Sequence, residues 1–166
     1  TGVSTYTGST AVADGSVLYQ NDAAPTTSGF TGAGAVVVES VSTSFASAVA
    51  TNYSFAPTIS SVRLGKDGNT SGLMVGQGIN VAGPISLYGG NIFVNGGLTS
   101  SASGNILVKG SSGVALLGGV QTAGQFTGVA GSSSNFVLGL DLTTGTGYNL
   151  NADGGVSITA GTAYLA

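Results

Sequence analysis

From Val62 onward, apolar residues recur in short alternating groups. These are Ile79-Asn80-Val81, Ile85-Ser86-Leu87, Ile92-Phe93-Val94, Ile106-Leu107-Val108, Val114-Ala115-Leu116, Phe136-Val137-Leu138-Gly139-Leu140 and Val156-Ser157-Ile158. Period-two alternation over three to five residues predicts short strands, each with one buried face. Glycine and asparagine punctuate them, as in Gly89-Gly90-Asn91, Asn95-Gly96-Gly97, Gly104-Asn105, Gly118-Gly119 and Asp153-Gly154-Gly155. Glycine enters positive φ without a Cβ penalty, and asparagine tolerates the same conformation, so these are predicted corners.

A longer period lies over the short one. Gly-Asn-Ile units begin at Gly90 and Gly104, while Ile85 to Ile106 spans about 21 residues and Ile92 to Val114 about 22. A repeat near 20 residues made of short strands and tight corners is what a coil of a β-solenoid requires. A β-sandwich is the alternative, with strand spacing of about 8–12 residues. The very short strands and glycine corners favour the solenoid.

Residues 1–60 read differently and are expected to form an irregular β or capping region. They hold Pro25 and Pro57, two of the three prolines, and an alternating stretch from Thr1 to Thr10 suited to an edge strand. Between Gly34 and Phe55, Val37, Val41, Phe45 and Val49 are spaced by four, which would make the stripe of one short helix. The same stretch is rich in Val, Ser and Thr, which favours strands. Residues 61–166 are expected to form the solenoid coils, continuous with the first part as one structural unit.

Composition narrows the chemistry. Only nine of 166 residues are charged, three Lys or Arg against six Asp or Glu, and His, Cys and Trp are absent. No thiol or Ser-His-Asp catalysis, Cys/His zinc site or imidazole switch can be built from this set. Three cations cannot neutralise a run of phosphates, so nucleic acid is not an expected partner. Hydrophobic residues make up 42%, which excludes disorder driven by charge. No apolar run approaches the ~18 residues of a membrane helix, and no basic-then-apolar leader opens the chain. The expectation is a processed secreted chain or an excised segment. A hydroxyl-, amide- and glycine-rich surface with a pI near 4.2 fits an extracellular or cell-surface location.

The segment Val62-Arg63-Leu64-Gly65-Lys66-Asp67-Gly68-Asn69-Thr70, followed by Ile79 to Ile92, resembles a repeat unit of large secreted bacterial proteins. These are the filamentous-haemagglutinin-like and related β-strand-repeat adhesins. Val94-Asn95-Gly96-Gly97-Leu98-Thr99-Ser100-Ser101 and Gly104-Asn105-Ile106-Leu107-Val108-Lys109 continue the likeness, which covers roughly residues 60–120. The resemblance implies an all-β, right-handed parallel β-helix on the cell surface, serving adhesion, cell contact or fibre formation.

Candidate chemistry is sparse. Asp141 and Asp153 are the only paired carboxylates that a polysaccharide-cleaving β-helix enzyme could use. Against that, Asp153 precedes Gly-Gly as a turn residue does, and no Trp platform exists. Arg63, Lys66 and Asp67 gather a third of the charge within five residues, readable as a partner contact or as a solvated turn. Neither an Asp-rich calcium loop nor a nonapeptide calcium repeat occurs, though Asp67 or Asp153 with backbone carbonyls would suit a weakly held ion. Asn52-Tyr53-Ser54 and Asn69-Thr70-Ser71 match the glycosylation sequon.

The expected role is therefore non-enzymatic and structural, with no cofactor and no metal. Open solenoid ends present unpaired strand edges, and a head-to-tail contact that does not close grows a filament. The expected assembly interface is Val156, Ile158, Tyr164 and Leu165 at one end, with Val3 and Tyr6 at the other. Its partner would be another copy or flanking segments of the same large protein. A carbohydrate-binding module acting on surface glycans is the second reading, and Tyr and Asn aligned on one face would be its signature.

Overall fold

The computed structural model describes residues 9–12, 17–139 and 147–165; for 9–12 only the backbone is described. Among them there are strands and no helix. In chain order these are β1 (Ser9–Val12), β2 (Val17–Gln20), β3 (Gly29–Gly32), β4 (Ala35–Glu39), β5 (Val49–Thr51) and β6 (Ser54–Phe55). Then come β7 (Ser61–Leu64), β8 (Leu73–Val75), β9 (Ile79–Val81), β10 (Ile85–Val94), β11 (Leu98–Ser100) and β12 (Ile106–Leu116). The last six are β13 (Val120–Thr122), β14 (Phe126–Val129), β15 (Asn135–Leu138), β16 (Leu150–Ala152), β17 (Val156–Thr159) and β18 (Thr162–Leu165).

Every pairing is parallel, and the chain winds through three faces as a β-solenoid of about six turns. The first face stacks β2, β4, β7, the first half of β10, the first half of β12, β14 and β17. The second stacks β5, β8, the second halves of β10 and β12, β15 and β18. The third carries β1, β3 and β6, then β9, β11, β13 and β16, with β6 abutting β9.

The predicted register holds: Ile85 lies beside Ile106, and Ile92 beside Val114. The two Gly-Asn-Ile units, however, are not stacked repeats. Ile92 belongs to the second face, whereas Ile106 belongs to the first. They are alike because each follows a corner, and both corners need the same residue types. Two strands also exceed the expected three to five residues, since β10 and β12 run unbroken around the corner between the first and second faces. Their register slips between Gly89 and Asn91.

Alternation fills the interior with aligned columns. On the first face these are Val36–Val62–Ile85–Ile106–Phe126 and Val38–Leu64–Leu87–Val108–Gly128. All are buried, and each fully buried aliphatic side chain contributes about 1.5–3 kcal/mol. Residues 34–55 form β4, β5 and β6 around a serine-rich loop, so the helical alternative fails there. Val36 and Val38 point inward, and Val37 lies between them on the outer row beside Arg63. The first-face ladder runs without a break across residue 60, because β4 pairs β7.

Polar residues hold the corners. Asn69 is 2% exposed. Its Nδ2 donates to the Tyr88 carbonyl of the next coil at 2.9 Å, and its Oδ1 accepts from the Ser71 amide at 3.0 Å. Gly65 at the same corner has φ +76°, and a Cβ there would strike the Tyr88 carbonyl, so both needs select glycine.

Candidate functional site

The last described coil differs from all those above it. Val156 continues the column of Phe126, Ile158 that of Gly128, and Leu165 that of Leu138. Phe126 and Leu138 are 0% and 3% exposed, but Val156 is 49% and Leu165 58% exposed. Inward positions are occupied by core residues, yet nothing among the described residues stacks on them. The outer edges of β16, β17 and β18, strands of three, four and four residues, pair with no further strand among the described residues.

Tyr164 sits elsewhere. It pairs with Val137 and ends an outward row on the second face, Ala50–Met74–Phe93–Ala115–Val137–Tyr164. It therefore looks sideways, not along the axis. Val3 and Tyr6 lie outside the described residues, as does most of the Thr1–Thr10 stretch; β1 begins at Ser9 and pairs β3 in parallel.

A second feature lies on the outside of the third face. Asn80, Thr99, Gln121 and Asn151 form one outward row in strict register. Two hollows flank it and share Thr99, Gln121 and Asn151 as lining. One, of about 470 Å³, is bordered by Gly97, Gly119, Gly147, Tyr148 and Asn149. The other, of about 260 Å³, runs past Ser101 and Ala123 to Asp153.

The larger hollow exists because glycines line up at that corner. Leu98 and Val120 are paired, so the residues before them, Gly96-Gly97 and Gly118-Gly119, stack as well. A Cβ on Gly96 would strike the Gly78 backbone, and one on Gly118 would meet Gly96. In the next coil the equivalent positions hold Tyr148 and Asn149, since Val120 pairs Leu150. The trough is thus floored by glycine and closed at one end by Tyr148.

The charged cluster disperses once the chain is folded. Arg63 pairs with Glu39 at 2.7 Å, whose other carboxylate oxygen accepts from Gln20 Nε2 at 2.9 Å. Lys66 donates to the Val41 carbonyl, and Asp67 pairs with Lys109 two coils on at 2.7 Å. These contacts tie coils together, while the expected solvated turn is present as well: the Asn69 amide donates to the Lys66 carbonyl at 3.0 Å, Gly68 has φ +85°, and the exposed Asp67 carboxylate accepts from the Gly68 amide. The Lys109 ammonium holds the Asp67 carboxyl below its usual range, and bonds from Ser42 do the same for Asp22.

Asp153 is an exposed turn residue, with Gly155 at φ +103° bonding back to the Ala152 carbonyl. Asp141 lies outside the described residues. The Asn69 sequon is a structural asparagine, because both ends of its amide are used inside; Asn52 is exposed. No group of three or more metal-binding side chains occurs among the described residues.

The open coil was legible as apolar alternation running to Leu165. The row Asn80–Thr99–Gln121–Asn151 has no common local signature: Asn80 and Asn151 sit between apolar residues, whereas Thr99 and Gln121 are followed by Ser100 and Thr122. Its spacings of 19, 22 and 30 residues break any fixed period. Comparison with family models, curated proteins and solved structures gives no match.

Proposed function

We propose that this chain is a non-enzymatic structural unit of an extracellular or cell-surface β-solenoid, extended by a further coil on the β16–β17–β18 edge. The further coil would come from a second copy, head to tail, or from a flanking segment of the same protein. The observation that carries this reading is the exposure of Val156 and Leu165 at the end of columns that are buried from Val36 to Phe126 and from Thr51 to Leu138. The resemblance to filamentous adhesins and the nearly uncharged composition support it.

Magnitudes set the regime. Covering the exposed halves of Val156 and Leu165 and the remainder of Ile158 contributes about 1 kcal/mol each. Ladder hydrogen bonds along the open edge add about 0.5–1.5 kcal/mol apiece. Association costs an estimated 4–15 kcal/mol, so stacking through one edge depends on concentration, while tethered coils stack outright.

Sedimentation velocity over a concentration series, beside negative-stain electron microscopy, tests self-stacking. Narrow fibres that lengthen with concentration are expected, and Val156→Asp with Leu165→Asp should abolish them without unfolding the chain. Discrete short rods at every concentration would overturn head-to-tail assembly of this chain.

A further inference from the structure

We propose that the trough on the third face binds a neutral oligosaccharide, lying along the solenoid axis over Thr99, Gln121 and Asn151. The polar side chains of this row differ from those elsewhere in the molecule. Corner residues such as Asn69, Ser71, Asp22 and Thr122 spend their hydrogen-bonding groups on neighbouring coils. Thr99, Gln121, Asn151 and Asn149 make no side-chain hydrogen bond among the described residues. Their donors and acceptors are turned to solvent and unspent.

The chemistry of the lining selects the ligand. Amide and hydroxyl groups both donate and accept, which matches ring hydroxyls that do the same. Tyr148 offers an aromatic body with a polar tip at the closed end, suited to the C–H face of a sugar ring. Among the described residues no Lys or Arg borders either hollow, and the one charged group lining them is the Asp153 carboxylate at the far margin. An anionic glycan would find no counter-charge there and one repulsive group. An apolar ligand would strip water from the whole row without replacing its hydrogen bonds.

Geometry sets the length. Adjacent strands lie about 4.8 Å apart, so Thr99 to Asn151 spans roughly 10 Å, and Asn80 carries the row one step further. Two to three sugar rings laid end to end cover that distance, each near one rung. Glycine at 97 and 119, which line the hollow, keeps the floor flush, so a flat ring can reach the row.

The test titrates the isotopically labelled protein with gluco-, manno- and xylo-configured neutral tetrasaccharides and with a sulfated tetrasaccharide, following amide shifts. Saturable shifts confined to residues 97–101, 119–123 and 147–153 are expected for at least one neutral probe. Gln121→Ala and Asn151→Ala, both at exposed positions, should weaken it about tenfold with unchanged thermal unfolding. Tyr148→Leu should do likewise. Val156→Asp should leave it intact, which separates this site from end stacking. No saturable shift with any neutral probe, tighter binding of the sulfated one, or indifference to all three trough variants would each overturn the proposal.

Discussion

The ring of Phe136 fills the space in front of Gly128, so that a Cβ on Gly128 would collide with it. Column by column, this is an exchange of volume across the core. The first-face column reads Leu64, Leu87, Val108 and then Gly128, while the second-face column reads Leu73, Ile92, Val114 and then Phe136. Phe136 also meets Phe126 edge-on, with centroids 6.1 Å apart.

Gly128→Val should therefore destabilise the protein by about 1–3 kcal/mol through overpacking. Phe136→Leu alone should cost a similar amount through the cavity it leaves. The double variant should lose less than the sum, with a coupling of about 0.5–3 kcal/mol. Denaturant unfolding of all four proteins measures it, and strict additivity would refute the exchange.

Tyr53 closes the aromatic cluster of the early coils, at 5.5 Å edge-on to Phe30, with its hydroxyl donating to the Pro25 carbonyl at 2.7 Å. Burial holds its pKa well above the ordinary tyrosine value. Its stabilising contribution is present below the unfolded pKa near 10 and is lost as pH rises beyond it. Tyr53→Phe should cost about 1–2 kcal/mol near neutral pH and flatten the alkaline fall in stability. An unchanged alkaline limb would place the cause elsewhere.

Asp22 and Asp67 have lowered pKa values, so their contributions are present above the unfolded value near 3.9. They fade as pH falls through the folded values. With no His in the chain, the melting temperature should be flat from about pH 8 to pH 5 and decline below about pH 4. Asp67→Asn should blunt that decline. A step between pH 6 and 7 would contradict the assignment.

Asn69→Ala removes the partner of the half-buried Tyr88 carbonyl and Ser71 amide and leaves a cavity at a buried position, and should cost about 1–3 kcal/mol. Asn52→Ala, on an exposed asparagine of the other sequon, should stay within about 0.5 kcal/mol. Paired denaturant curves distinguish the two directly.

Local chemistry alone determined a great deal here. Alternation at Ile85-Ser86-Leu87 and Ile106-Leu107-Val108 declared short strands with one buried face, because side chains of a strand point to opposite sides. Spacing then placed Ile85 on Ile106 and Ile92 on Val114, since coils of near-equal length stack like residues. The poverty of charge removed whole classes of chemistry before any fold was known.

Only the tertiary structure decided which outward residues share a face. Coil lengths vary from 19 to 30 residues across the third face, so Thr99, Gln121 and Asn151 carry no common period and become neighbours only by stacking. The same holds for Arg63 with Glu39 and Asp67 with Lys109, contacts between successive coils or coils two apart that no local pattern encodes. Gly128 reads as one more turn glycine until Phe136 is seen to occupy its place. Strand periodicity is a property of a few adjacent residues, whereas a surface is assembled from residues a full coil apart.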